Sequence, residues 1–288
     1  MEIKSEVLVA FHQRLAALMN EIHKICISNN IDYTLMGGSL IGALRHNGFI
    51  PWDDDIDIGM TYPNYIKFIN ALRNLQHPWV EYDLANETEN CFSCFIKIYD
   101  ARTTLIEEDG ISENGNGRGK GIFIDVFPIS KAGKTKTQAI KEYKRHRWYQ
   151  ALLKRKGYDF RTGILREYIV SKIASFYSIK ELMDKINRQY ERLDKCEFDY
   201  SSDMDGSLKG IVPTRLFASY RLYPFEQYQF MGIKDADEYL KLVFGDYMQL
   251  PPEEKRKPHH VKYINLNMPY RDYERNFIDK NMSDNKNI

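Results

Sequence analysis

Four carboxylates crowd into the eight residues Pro51-Trp52-Asp53-Asp54-Asp55-Ile56-Asp57-Ile58. Along a strand, side chains alternate between faces. Asp53, Asp55 and Asp57 therefore share one face if the strand extends that far, and Ile56 and Ile58 take the other and enter the core. Carboxylates this close repel one another and raise each other's pKa. A hard cation removes that penalty, and Mg²⁺ (or Mn²⁺) accepts a few carboxylate oxygens together with substrate phosphate. The plain alternative is a surface acidic turn after Pro-Trp; the alternation with isoleucine argues for a core strand instead.

Gly37-Gly38-Ser39 sits where a strand passes into a helix. Glycine lets backbone N–H groups approach a phosphate closely, and a helix N-terminus favours an anion. The same three residues also make an ordinary turn, so their place shortly before the acidic run is what gives them weight. Asp125, in Ile124-Asp125-Val126, is a single acid between β-branched residues: either an edge position facing water or part of the same site. Lys97 lies on a strand among apolar residues and either snorkels outward or faces that site.

The elements that must position these residues follow from periodicity. Residues 6–28 form an amphipathic helix with Leu8, Phe11, Leu15, Leu18, Ile22 and Ile25 on its core face. A strand over 32–36 precedes a helix over 39–46, with Ser39 as N-cap and Asn47-Gly48 as its end. A strand over 55–59 stops at Tyr62-Pro63, and a helix follows over 64–75. Further strands are predicted over 92–99, 103–108 and 121–127, the last halted by Pro128. Beyond 130 the texture changes: residues 135–156 and 163–195 read as long helices, 235–245 as a shorter one, and Pro251-Pro252 as a loop.

Residues 1–130 are thus expected to be a mixed catalytic core with its N-terminal helix. Residues 131–275 are expected to be a mainly helical region completing the site, and 276–288 a polar tail.

Three motifs carry weaker chemistry. Cys91-x-x-Cys94 has no second pair nearby to complete a zinc site and reads as two ordinary cysteines on a buried strand. The segment 115–121 lacks the spacing of a P-loop and reads as a flexible hairpin loop, with Arg118 or Lys120 able to reach an anionic substrate. The stretch 131–156 is dense in Lys and Arg, with Glu142 as its single acid. It is either a solvated helix face or a contact to an anionic membrane surface. No recognition module for nucleic acid accompanies it.

Composition narrows the class. In 288 residues, 41 Lys+Arg nearly balance 40 Asp+Glu, a net charge of +1, and 43% are hydrophobic. That excludes a histone-like basic binder and a chain disordered throughout. Four cysteines are too few for a disulfide scaffold of this size. No apolar run is long enough to span a bilayer, and no secretory signal opens the chain. The expected location is the cytoplasm, with room for contact at the inner face of the membrane.

Gly-Ser, then Asp-x-Asp, then a later lone Asp on a strand resembles the nucleotidyltransferase superfamily. The run Gly37-Gly-Ser-Leu-Ile-Gly-Ala-Leu-Arg-His-Asn-Gly-Phe-Ile-Pro-Trp-Asp-Asp-Asp-Ile-Asp-Ile58 is similar to the signature of the LicD family, shared with the fukutin-related proteins. So are Lys97-Ile-Tyr-Asp-Ala-Arg-Thr103, Gly121-Ile-Phe-Ile-Asp-Val-Phe-Pro128 and Phe244 to Arg256 with His259-His260. The resemblance implies an α/β (α+β) fold with a nucleotidyltransferase-like mixed sheet. It implies a metal-dependent phosphotransferase that takes a phospho-alcohol, typically phosphocholine, from a CDP-alcohol donor to a glycan hydroxyl.

The family's paired acids fall on Asp55 and Asp57, with Asp53 as a helper, and its third acid on Asp125. Gly38 and Ser39 fall on its phosphate site. Arg45, His46, Lys97, Arg256 and one of His259 and His260 are its candidate donor contacts. Two rival readings are an NTP-dependent nucleotidyltransferase, which would release pyrophosphate, and an inactive nucleotide-binding scaffold.

Overall fold

The computed structural model describes residues 5–85, 87–88, 91–107, 120–157, 165–257, 261–273 and 275. The chain opens with α1 (Ser5–Ser28), β1 (Thr34–Leu35), α2 (Gly37–His46), β2 (Asp57–Thr61) and α3 (Tyr62–Arg73). Four strands follow: β3 (Val80–Asp83), β4 (Ile96–Asp100), β5 (Thr104–Glu107) and β6 (Phe123–Gly133). Next come α4 (Lys136–Gly157), α5 (Leu165–Ser175) and α6 (Ile179–Asp194), then β7 (Tyr200–Ser202), β8 (Val212–Pro213), β9 (Tyr220–Phe225) and β10 (Tyr228–Ile233). The last elements are α7 (Ala236–Phe244) and β11 (Val261–Asn265). The expected architecture holds: a mixed-sheet core followed by a mainly helical region.

The central sheet has the order β1-β2-β6-β4-β3 and continues from β6 to β7 and β8. β2 and β6 run parallel; the other pairs in this sheet are antiparallel. One face is apolar because of the two-residue alternation: Ile58, Met60, Ile96, Ile98, Ile124 and Val126 are all fully buried. Each such side chain contributes about 1.5–3 kcal/mol by leaving water. β6 is the shared beam, since α1, α3, α4 and α6 all contact it. α1 buries Phe11, Leu15, Leu18 and Ile22 as its spacing predicts, with Met19 in addition, while Leu8 and Ile25 are half-buried at its ends. Among the described residues, no helix is long and apolar enough to cross a membrane.

Several boundaries differ from expectation. Strand β2 begins at Asp57 rather than 55, so Asp53 and Asp55 lie in the preceding loop, where the Asp53 N–H donates to Ile50 O at 2.9 Å. Helix α2 begins at Gly37 with Met36 as N-cap, placing Ser39 inside the helix. Gly37 adopts φ +51, a left-handed turn that suits glycine at this abrupt strand-to-helix reversal.

Pro128 does not stop β6. The β4 ladder ends at Val126 and the β7 ladder begins at Ser130, so on that side the missing proline N–H leaves no ladder bond unmade. The helix expected over 163–195 is two helices. Ser178 caps α6 with a capping box: its hydroxyl accepts from the Glu181 N–H, and the Glu181 carboxylate accepts from the Ser178 N–H. β3, β7, β8, β11 and the β9–β10 hairpin are additional. The hairpin turns at Glu226, at φ 52, without the Asn-Gly pair that would have announced it.

Candidate active site

Asp57 on β2 is the register partner of Asp125 on β6; Asp125 is in turn the partner of Lys97 on β4, and Lys97 of Asp83 on β3. Register partners project from the same face. Three strand pairings therefore set Asp57, Asp125, Lys97 and Asp83 in one row, on the face opposite the isoleucines. Lys97 Nζ lies 3.2 Å from Asp125 Oδ1 and 3.3 Å from the centre of the Phe123 ring. Lys97 therefore turns into the row rather than snorkelling away from it. At the far end of the row, Asp83 accepts from Lys120 Nζ at 2.6 Å and from the Tyr99 hydroxyl at 2.8 Å. Lys120, one of the residues expected to meet an anionic substrate, is thus engaged by Asp83; Arg118 lies outside the described residues.

The loop carboxylates converge on the head of this row. Burial pushes the Asp57 carboxyl well above the usual range, and the charges of Asp55, Asp125 and Asp53 push it further; Lys97 acts the other way. Asp53 is raised by burial and then by Asp55 and Asp54, with Arg45 opposing. These groups are close enough that their charges cannot coexist cheaply without a counter-cation.

The N-terminus of α2 abuts them. A side chain at Gly37 would touch Asp57 Oδ2, and one at Gly38 would collide with the Asp53 carboxylate. Ser39 is 3% exposed, and its Oγ accepts the Asp57 backbone N–H at 2.9 Å. It holds the first residue of β2 in place instead of capping a helix.

The remaining candidates are distributed around this head. Arg45 donates to Tyr247 O at 2.7 Å and to His46 Nε2 at 2.9 Å, and its guanidinium feels the Asp53 charge. His46 is held below its ordinary pKa by burial and by Arg45. The Arg256 guanidinium lies 5.5 Å from the centre of the Trp52 ring, the residue before Asp53, and donates to Pro251 O at 2.8 Å. His259 and His260 lie outside the described residues, as does the 276–288 tail.

Sequence reasoning missed several participants. His12 on α1 stacks on Phe49 at 4.1 Å, with Nε2 2.7 Å from the Asp53 carbonyl oxygen, and so steadies the acidic loop from below. Asp203, Asp205 and Lys209 line a cavity of about 600 Å³ together with Asp57, Gly37 and Phe127. Burial, then the Asp205 charge, raises Asp203 to about 6. Cys94, His146 and Asp205 bring a sulfur, an imidazole nitrogen and a carboxylate oxygen within 4.8 Å of one another, a set able to coordinate a metal ion. Cys94, expected to be an ordinary buried cysteine, has these partners from α4 and from the segment after β7. No local spacing signals them.

A mixed sheet with paired carboxylates on adjacent parallel strands, beside a glycine-led helix N-terminus, is the arrangement of a nucleotidyltransferase-type enzyme. Similarity to known proteins narrows the class. The family profile described as "LicD/FKTN/FKRP, nucleotidyltransferase domain" matches residues 30–156. The chain is 30% identical over 254 residues to the "Lipopolysaccharide cholinephosphotransferase LicD" of Haemophilus influenzae, covering 85% of this chain and 92% of that protein. It is 57% identical over 30 residues to the human "Ribitol 5-phosphate transferase FKRP", covering 10% of this chain and 6% of that one. The chain belongs to the LicD family of the nucleotidyltransferase superfamily. Membership, with a cluster able to hold a metal ion, supports a metal-dependent reaction of the nucleotidyl- or phosphotransferase kind.

Proposed function

We propose that this protein moves a phospho-alcohol, phosphocholine first among the candidates, from a CDP-linked donor to a hydroxyl of a cell-surface glycan or its precursor, releasing CMP. The observation that carries the reading is the register pair Asp57–Asp125 at the N-terminus of α2, in a chain that aligns over most of its length with a cholinephosphotransferase.

Asp55, Asp57 and Asp125, helped by Asp53, would hold Mg²⁺ (or Mn²⁺). The donor set fits: it is carboxylate oxygen throughout, and the carboxylates raise one another's pKa in the cation's absence. The ion supplies charge neutralisation on the donor diphosphate. The chain's own residues do the rest. The Gly38 backbone and the Ser39 hydroxyl proton face donor phosphate at the positive end of α2. Arg45, His46, Arg256 and His259 orient the diphosphate and nucleotide. Lys97 holds Asp125 in an ion pair at 3.2 Å, and Asp125 takes the acceptor hydroxyl's proton. Positioning and electrostatics carry most of the acceleration. The basic 131–156 segment would give peripheral contact with a membrane bearing a lipid-linked acceptor.

The test is calorimetric titration with CDP-choline, CDP-ribitol, CDP-glycerol, CTP and ATP, with and without Mg²⁺. Metal-dependent binding of one CDP-alcohol supports the reading and names the donor. Preference for a triphosphate replaces it with an NTP-dependent nucleotidyltransferase.

A further inference from the structure

Cys94 lies just before β4, His146 in the middle of α4, and Asp205 in the segment after β7. Their side chains meet in the interior: Cys94 is 5% exposed, and the side chains of His146 and Asp205 are 0% and 4% exposed. His146 Nε2 and Asp205 Oδ1 are 3.3 Å apart, long for a charge-assisted hydrogen bond. That Oδ1 is already contacted by Gln150 Nε2. Among the described residues, His146 Nδ1 and Asp205 Oδ2 are buried with no hydrogen-bond partner. Asp205 thus keeps a buried carboxylate oxygen with no donor, a charge that a cation held between this carboxylate and His146 Nε2 would neutralise.

We propose that Cys94, His146 and Asp205 form a second metal site, distinct from the carboxylate row, that binds a thiophilic divalent cation of the zinc class and fixes the segment 203–210 as a wall of the cavity beside Asp57.

The geometry suits this cation. Zinc bonds of about 2.0–2.3 Å in a tetrahedron place a nitrogen and an oxygen ligand roughly 3.3 Å apart, as His146 and Asp205 already stand. A thiol within 4.8 Å closes on the same centre with a small shift. A sulfur ligand selects zinc, cobalt or iron over magnesium, which demands oxygen and near-octahedral geometry. Coordination releases the Cys94 thiol proton to solvent and leaves a thiolate–metal bond; no redox partner is needed. Three protein ligands leave one position for water.

The ligands come from three separate stretches of chain, so the ion would tie them together. Asp205 belongs to the wall: Asp203, Asp205, Gly206 and Lys209 line the same cavity as Asp57. Arg147 NH1, next to His146 on α4, donates to the Asp205 carbonyl at 2.9 Å, so the tether already has a scaffold.

The experiment is metal analysis of the purified full chain, followed by exchange of the bound ion for Co²⁺ and absorption spectroscopy. Stoichiometric zinc and a thiolate-to-cobalt charge-transfer band in the near ultraviolet are expected. The band should vanish in Cys94→Ser and persist in Asp57→Asn. Folded wild-type protein that carries no zinc and gives no such band on cobalt titration overturns the site, whether or not Cys94→Ser folds. Loss of the band in Asp57→Asn would overturn its separateness. Zinc removal should speed hydrogen exchange at 203–210 and leave β2 and β6 amides unchanged; unaltered exchange at 203–210 overturns the wall-fixing role.

Discussion

The row Asp57–Asp125–Lys97–Asp83 and the cluster Cys94–His146–Asp205 each send one carboxylate, Asp57 and Asp205, to a shared cavity, yet they are built in opposite ways. The row comes from four neighbouring strands, and backbone register fixes where each side chain stands. The cluster comes from three segments that meet only through tertiary packing. The row offers oxygen and one amine; the cluster offers sulfur, nitrogen and oxygen. A set of mutually repelling carboxylates suits a hard ion that arrives with a phosphate-bearing substrate. A dry mixed set suits a resident ion that holds chain segments together. Difference in construction thus accompanies difference in the work each would do.

The sharpest way to break this contrast is at the head of the row. Asp57→Asn or Asp125→Asn is expected to lower the transfer rate by at least about 100-fold, because the charge that organises the reacting phosphate is lost. Circular dichroism and thermal midpoint should stay near wild type. Near-full activity in either variant would remove the row from the chemistry.

The apolar face beneath the row is next. Ile58→Ala or Ile124→Ala should cost about 2–5 kcal/mol in urea unfolding, since both side chains are fully buried beneath the row. A loss under about 1 kcal/mol would mean that this face collapses easily and does not hold the register.

Titration separates the row further. In metal-free protein the Asp57 carboxyl is raised by burial and by three neighbouring acids. The folded state therefore holds a proton that the unfolded chain has released. That contribution is complete below the ordinary carboxylate pKa and is lost as pH rises toward the folded value. Chelated protein should lose stability across that range, and Mg²⁺ should flatten the loss; thermal melts from pH 4 upward would read it. Lys97→Met should raise Asp57 further, moving the onset of Mg²⁺ binding up by about one pH unit. A downward or absent shift, measured by calorimetry at several pH values, would show that Lys97 serves packing on Phe123 alone.

The smallest effect is expected at the start of α6. Ser178→Ala removes the α6 capping box and should cost about 1 kcal/mol without altering transfer or metal content. Altered transfer in that variant would mean that α6 communicates with the cavity.

The two clusters also differ in how much of them the sequence discloses. Asp57 and Asp125 are legible because alternation is local: Ile56, Ile58, Ile124 and Val126 mark the core face and thereby the opposite one, whereas Asp83 lies on β3, a strand that alternation does not announce. The row's limits were set by turn geometry that alternation does not encode, which is why Asp53 and Asp55 fall in a loop and Ser39 falls inside a helix. The cluster was illegible because His146 and Asp205 lie far from Cys94 along the chain, and a search for a second cysteine pair looks in the wrong place. The β9–β10 hairpin was hidden by a Glu226 turn without glycine or asparagine at its corner. The α6 cap, by contrast, was present in Ser178-x-x-Glu181 and could have divided the long helix correctly.

The parallel pairing of β2 with β6 has a consequence for the order of events during synthesis. Asp57 has emerged from the ribosome long before Asp125 exists, and everything between them must be accommodated before the two can stand side by side. Contacts so distant in sequence form late and slowly. A nascent chain ending before residue 123 therefore presents its acidic loop with no third carboxylate opposite it. Completion of the carboxylate set coincides with the pairing of β6 against β2, so the metal affinity proposed for it would report when those two strands have joined.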